Sequence, residues 1–250
     1  MPARVVEELV GMERRVGTAG WTLPRDVRAR FDGEGTQLER YARRFSCVEI
    51  NSSFYRPHRA ATYERWSRSV PDDFRFALKV PKAITHACRF VDVAEPLARF
   101  LEESAALGSK RDVVLVQLPP SFAYDAALAE SFFTLLRTRY AGRVACEPRH
   151  ASWFEPVAEA LLDAFRIARV AADPPPVEAA TRPGGSPELR YWRLHGSPRT
   201  YYSAYDAARL DTIAHALRTA DAPAWCIFDN TTLGAATANA LTVLDALAAA

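Results

Sequence analysis

The feature that most constrains this chain is an alternation kept up along its length. Short apolar runs of strand size are followed, almost every time, by a stretch with helical spacing. The strand-like runs are 15–18, 47–51, 75–80, 112–118, 143–147, 167–173, 189–195 and 224–230. Helical patterns follow at 36–45, 62–70, 94–107, 125–140, 155–165, 206–220 and 234–247; the first opens on a capping box, Thr36 with Glu39, and carries Leu38, Tyr41, Ala42 and Phe45 on one stripe. The exception is the sixth connection, where Pro174-Pro175-Pro176 begins a Pro/Gly-rich stretch that cannot hold a crossover helix. This pattern predicts an α/β fold, a TIM-type (β/α)8 barrel with a short or missing sixth helix, rather than an open doubly wound sheet. At 250 residues the chain suits a single domain spanning 1–250.

Composition narrows the function classes. With 49% hydrophobic and 25% charged residues, the chain is neither disordered, collagen-like nor coiled coil. A formal charge of +2 supplies no global attraction to nucleic acid or an anionic membrane, though a local basic pocket is compatible with it. Apolar runs such as 113–116 fall far short of the roughly 20 residues of a bilayer span. The N-terminal MPARVVEELVGMERR mixes acids and bases, unlike a signal peptide, so a cytoplasmic protein is expected. Cys47, Cys88, Cys146 and Cys226 lack CxxC spacing and are expected to be buried structural thiols.

Strand side chains alternate between faces, so the apolar partners of each run indicate which residues turn inward. Val48 and Ile50 toward the helices leave Glu49 and Asn51 on the other side. The same parity turns Lys79, Gln117, Glu147, Asp173, Arg193, His195 and Asp229 inward, near the carboxyl ends of the strands, where TIM-barrel enzymes carry their sites. Glu49, Lys79, Glu147, Asp173, His195 and Asp229 are the candidate catalytic groups. Trp21, Asn51, Tyr55, His86, Gln117, Arg149, His150, Trp153, Arg193, Tyr202 and Asn230 are the candidate ligand-binding residues, because aromatic rings among polar groups suit a sugar or nucleotide. The competing reading is structural: the carboxylates simply neutralise Lys79, Arg149 and Arg193. His58 and His215 are expected at the surface, and Trp66, Trp192 and Trp225 in packing.

Seven fragments occur in order: GTAGW (17–21), VEINSSFYR (48–56), ALKVPKAITH (77–86), QLPPSF (117–122), EPRHASW (147–153), YWRLHG (191–196) and FDNTTLGAATANA (228–240). Together they resemble the YecE-like, or DUF72, family from about residue 16 onward. The resemblance implies a TIM-barrel-type fold and no settled activity. This sequence departs from the family pattern at Ala19, where Ser is usual, at Pro148, where an aromatic or aliphatic residue is usual, and at Asp229, where Asn is frequent. Without a hydroxyl at position 19, a nucleophilic serine there is untenable.

Three functions follow as expectations. The leading one is a small-molecule enzyme or binder of an anionic, sugar-phosphate- or nucleotide-like ligand, needing no cofactor, its phosphate near Arg193, His195 and the start of the final helix. A second is a metal-dependent sugar isomerase or epimerase resembling the xylose-isomerase-like superfamily, with a divalent ion on Glu147, Asp173, His195 and Asp229. The third is a nucleic-acid binder or phosphodiesterase resembling endonuclease-IV-type barrels, which the near-neutral charge disfavours. The oligomeric state is left open.

Overall fold

A computed structural model describes residues 12–249. The 1–11 stretch of the N-terminus, read above as carrying no signal peptide, lies outside them. The strands are β1 (Arg14–Thr18), β2 (Cys47–Ile50), β3 (Arg75–Lys79), β4 (Arg111–Gln117), β5 (Arg143–Glu147), β6 (Ile167–Arg169), β7 (Ala171–Asp173), β8 (Gly184–Gly185), β9 (Arg190–Leu194) and β10 (Ala224–Phe228). The helices are α1 (Gln37–Tyr41), α2 (Ser52–Tyr55), α3 (Ala60–Arg68), α4 (Ala94–Ser104), α5 (Ala126–Arg137), α6 (Pro156–Ala164), α7 (Ala207–Arg218) and α8 (Ala235–Ala248).

One sheet has the order β1-β10-β9-β7, the other β2-β3-β4-β5-β6-β8, and every pairing is parallel except that of β8 with β6. Only Val170 separates β6 from β7, so the 167–173 run pairs with β5 at its start and with β9 at its end. Just beyond the other edges, Ala19 forms a parallel bridge with Glu49, and Gly20 N donates to Glu49 O at 2.8 Å. The fold is thus mixed α/β, built on parallel strands with intervening helices. Among the described residues no helix is long and apolar enough to cross a membrane.

Local chemistry sets the helix starts. Thr36 and Glu39 form the expected capping box on α1, while Asp125 and Asp206 accept the Leu128 and Arg209 N–H groups at 2.9 and 2.8 Å to open α5 and α7. The sixth connection has no α-helix. It contains a 3-10 turn, Glu178–Thr181, and β8, whose Gly185 N donates to Glu159 Oε2 at 2.7 Å while Glu159 also pairs with Arg169. Sequence reading did not anticipate the short α2, the π-helix Ala83–Ala87 or β8.

Two apolar clusters occupy the two faces of the strands. The larger, with Val48, Ile50, Leu78, Val114, Val116 and Phe132, lies between strands and helices. The smaller, with Cys47, Ala77, Leu115, Ala145, Tyr191 and Ile227, lies on the opposite face, so the parity inferred from sequence holds in β2, β3, β4, β5, β9 and β10. It fails in the sixth run. There Ala168 and Val170 join the smaller cluster, which puts Ala171 and Asp173 on the other side. The sequence IARVAAD carries small residues on both faces and therefore no contrast from which to read register. Trp225 is buried, and Trp66 and Trp192 pack against the larger cluster. Cys47, Cys146 and Cys226 are buried as expected, whereas Cys88, which follows the π-helix, is exposed.

β1 approaches β2 most closely at Gly17. A Cβ on Gly17 would stand 2.5 Å from Cys47 O and 2.9 Å from Cys47 Sγ, and the backbone oxygen cannot move aside. Gly17→Ala is therefore expected to destabilise the protein by on the order of 1–3 kcal/mol, read from the urea midpoint at unchanged slope. An unchanged midpoint would mean that the two strands separate freely here.

Candidate functional site

The strand ends bring Arg193, Glu49, Glu147, Asp229, His195 and Lys79 together. Arg193, on β9 and fully buried, is the centre. Its Nε and Nη2 donate to Glu49 Oε2 and Oε1 at 3.0 and 2.7 Å, Nη1 donates to Glu147 Oε2 at 2.5 Å, and Nη2 also reaches Asp229 Oδ2 at 2.9 Å. Tyr191, two residues earlier on the same face, donates its hydroxyl to Glu49 Oε2 at 3.2 Å. The planar guanidinium, with its five donors, suits this three-carboxylate cage, whereas an ammonium would lack the fork geometry.

His195 extends the cluster. Its Nδ1 lies 3.1 Å from Asp229 Oδ2, an acceptor only, which holds the ring proton on that nitrogen. Nε2 then accepts from Arg149 Nη2 at 2.5 Å, and the same nitrogen of Arg149 donates to Glu147 Oε1 at 2.5 Å. Glu147 Oε1 also lies 2.8 Å from this Nε2.

Electrostatics follow from these contacts. Burial would raise the Glu147 carboxyl, but Arg149, Arg193 and His195 overcome it and hold the group well below the usual range. Asp229 is lowered in the same way, its burial outweighed by Arg193 and His195. Arg193 is pushed further up: burial opposes its charge, and Glu147, Glu49 and Asp229 more than compensate. Lys79 differs. Its Nζ sits 4.1 Å from the Phe54 ring centroid, and among the described residues it has neither an ion pair nor a hydrogen bond. Burial and the neighbouring Arg193 bring it down to about 8, against the pull of Glu49, Asp229 and Glu147. His86, edge-on to Phe54 at 4.9 Å, is held near 4 by burial and by Lys79, Lys82 and Arg89, and is neutral at pH 7.

Several candidates stand apart from this cluster. Asp173 turns away, its carboxylate accepting from Arg209 Nε on α7 at 3.0 Å, as the reversed parity of its strand requires. Trp153 is a core residue: it is fully buried and its Nε1 donates to Phe122 O at 2.9 Å, so the position after β5 that suggested a ligand contact is instead an anchor for the 3-10 turn Ala151–Phe154. His150 caps that turn, with Nδ1 2.8 Å from Ser152 Oγ. Tyr202 lies under Arg199, whose guanidinium is 3.8 Å from the ring centroid. Gln117 is buried beside Glu147 in register. Asn230 donates to Ser203 O and Asn239 Oδ1, both at 2.9 Å, leaving its own Oδ1 without a partner.

Four of the five N–H donors of the fully buried Arg193 are engaged by carboxylates. The cleft at the start of α8, lined by Thr231 and Gly234, offers only about 30 Å³, which suits a water rather than a phosphoryl group. Among the described residues no group of three or more His, Cys, Asp or Glu has the geometry to hold a metal ion, and the guanidinium occupies the space between the carboxylates that an ion would need.

Open space lies on the β1–β3 side. A cavity of about 440 Å³ is lined by Trp21, Asn51, Tyr55, Arg56, His58 and Trp66, among others; Asn51 Oδ1 is buried without a partner. His58 and Trp66 were missed by sequence reading as cavity residues. His58 is buried rather than at the surface: its Nε2 meets Ser52 Oγ at 2.8 Å and its ring edges onto Trp66 at 5.0 Å. The available signal was the spacing of His58, Tyr63 and Trp66, which lets one short helix return two rings to the loop before it. His215 is exposed, as expected.

Residues 15–250 match the family described as protein of unknown function DUF72. The chain belongs to the DUF72 family. Among curated relatives, the protein YecE of Escherichia coli K12 is 33% identical over 107 residues, which cover 43% of this chain and 38% of YecE. YunF of Bacillus subtilis is 26% identical over 149 residues, covering 56% of this chain and 52% of that protein, so these matches span about half or less of the relatives' length. A DUF72 protein from Enterococcus faecalis superimposes with a TM-score of 0.78 at 21% identity, covering 94% of this chain and 95% of the other. One from Thermotoga maritima gives 0.75 at 22% identity, covering 94% and 99%. D-psicose 3-epimerase, solved with D-fructose, gives 0.51 at 14% identity, covering 94% and 97%, a likeness of fold alone.

Removing the central guanidinium strands buried carboxylates. Arg193→Met is expected to cost about 3–5 kcal/mol at pH 7 and to reverse the acid response. In the wild-type protein the depressed Glu147 and Asp229 stabilise the fold fully above their unfolded values of about 4, and this stabilisation is lost as pH falls through the folded values. In the variant Glu147 and Asp229 keep Arg149 and His195, but Glu49 loses its only ion-pair partner among the described residues. A buried carboxylate without one binds its proton more tightly than in the unfolded chain, so stability should rise as pH falls from 7 toward about 4. Urea melts at pH 4, 5.5 and 7 distinguish the two slopes.

Proposed function

We propose that this DUF72 chain is a small-molecule enzyme or binder that takes an anionic, sugar-phosphate- or nucleotide-like ligand at the carboxyl ends of the strands, on the β1–β3 side, without a required cofactor. One observation carries the reading: Lys79 is a buried cation with no carboxylate or hydrogen-bond partner among the described residues, in a neighbourhood where the other charges are mutually satisfied. A phosphoryl or carboxylate group would supply the missing partner. Asn51 Oδ1 adds an acceptor for a hydroxyl, and Trp21 and Tyr55 offer faces for a sugar or base. An amine near pH 8 can pair with an anion when charged and accept a proton when neutral, which suits Lys79 better than the fully engaged Glu49 to proton transfer.

The frame for this site is a closed (β/α)8 barrel. That reading draws support from the shared 167–173 run, the Ala19–Glu49 bridge and the likeness to D-psicose 3-epimerase. The four unpaired cysteines suit a reducing compartment such as the cytoplasm.

Lys79→Met separates ligand contact from fold maintenance. Because the folded amine is depressed to about 8, the unfolded chain binds its proton more tightly, so wild-type stability should rise between about pH 8 and 10.4. The Met variant should lose that rise and be at least as stable as wild type at pH 7. Thermal melts with inorganic phosphate and with ribose 5-phosphate should show stabilisation of the wild-type protein and at least a roughly tenfold weaker response in Lys79→Met. Equal responses in both proteins, or none in the wild type, would overturn the proposal. A salt-dependent gel shift with duplex DNA tests the nucleic-acid alternative.

A further inference from the structure

We propose that the cavity of about 410 Å³ lying behind α2, toward α4, is a second site that binds a small organic anion carrying an aromatic ring. It is separate from the space assigned above, from which a wall of Tyr55, Arg56 and His58 divides it. Its volume falls within the roughly 300–1,000 Å³ of small-molecule pockets.

The lining specifies the chemistry. Phe54, Tyr63 and Phe100 present buried aromatic surface, suited to a flat ring by offset or edge contact. The exposed rim carries Arg56, Lys82 and Arg99. Glu103 is the single acid of the lining, and Arg99 Nε already donates to its Oε1 at 3.1 Å. Arg56 and Lys82 make no ion pair among the described residues, so the rim keeps two uncompensated positive charges. An aromatic cation would be repelled, and a neutral ring would gain burial without the rim contact.

The wall that carries Ala83 and Ala87 is also unusual. It is the π-helix Ala83–Ala87, closed by Cys88 N donating to Ala83 O at 2.9 Å. Arg89, Phe90 and Asp92 follow at φ 46°, 73° and 53°, left-handed values that non-glycine residues seldom adopt. Phe90 holds this turn by stacking on Phe132 with ring centroids 3.7 Å apart. Single-turn π-helices and such backbone outliers concentrate at functional sites. Here the packed turn fixes one wall of the cavity beneath Lys82.

Equilibrium dialysis with 2-naphthoate tests the site, with 2-naphthylmethanol as the neutral control and inorganic phosphate as the competitor. The expected result is one saturable site for 2-naphthoate, roughly tenfold weaker binding of the alcohol, and no displacement by phosphate. Ala83→Phe, which fills the cavity, should abolish binding. Lys82→Glu, an exposed change that leaves the core intact, should weaken 2-naphthoate at least roughly tenfold while the response to ribose 5-phosphate stays as in the wild type. Absence of saturable 2-naphthoate binding, affinity unchanged in Lys82→Glu, or displacement by phosphate would overturn the proposal; displacement would assign the ligand to the strand-end site instead.

Discussion

A guanidinium surrounded by three carboxylates in a space closed to water organises the carboxyl ends of these strands. Arg193 belongs to β9, in the four-stranded sheet, yet two of its partners, Glu49 on β2 and Glu147 on β5, belong to the six-stranded one. One side chain therefore ties both sheets together. Ions removed from water must recover their hydration energy from one another, and a planar fork of fixed N–H groups suits three acceptors from separate strands. Because the partners come from separate strands, the pairing is satisfied only when those strands are in register.

That arrangement also decides which groups are free to react. Glu49 and Glu147 are acceptors already in use, and Asp229 is occupied by Arg193 and by the imidazole whose tautomer it fixes. An asparagine at 229 could accept the same His195 proton with its amide oxygen but would leave the guanidinium one charge short. The cluster behaves as a floor. At its margin Lys79 Nζ and Asn51 Oδ1 have no partner among the described residues, and Asn51 lines the open cavity.

Parity was readable wherever one face of a strand carried bulky apolar side chains. Val48 with Ile50 and Val114 with Val116 are such pairs, and they correctly turned Glu49 and Gln117 to the other side. The alanine-rich sixth run lacks that contrast, and the polarity of Asp173 was mistaken for a sign of direction when it only marked a partner, Arg209, on a helix. Trp153 and His58 were misread for a different reason. Both follow a strand in a connecting segment, and nothing local records that the segment folds back on the core; the Trp153 bond to Phe122 spans 31 residues. The competing idea of a charge-neutralising network, legible from the residue types alone, describes Arg193 and its partners well, whereas the position of the cavities depends on side-chain packing that no spacing encodes.

The sixth connection departs from all the others. Between Pro174 and Leu189 the chain makes one 3-10 turn and a two-residue antiparallel strand, fastened by Glu159 to the start of the sixth run. None of the charged groups around Arg193 takes a side-chain contact from this stretch. This crossover carries no α-helix and the centre takes nothing from it, so a change of length here would leave the register-dependent cluster untouched. Elsewhere each crossover is bound by the helix it must carry. A loop or an insert grafted into this stretch would sit beside a rigid platform without touching it.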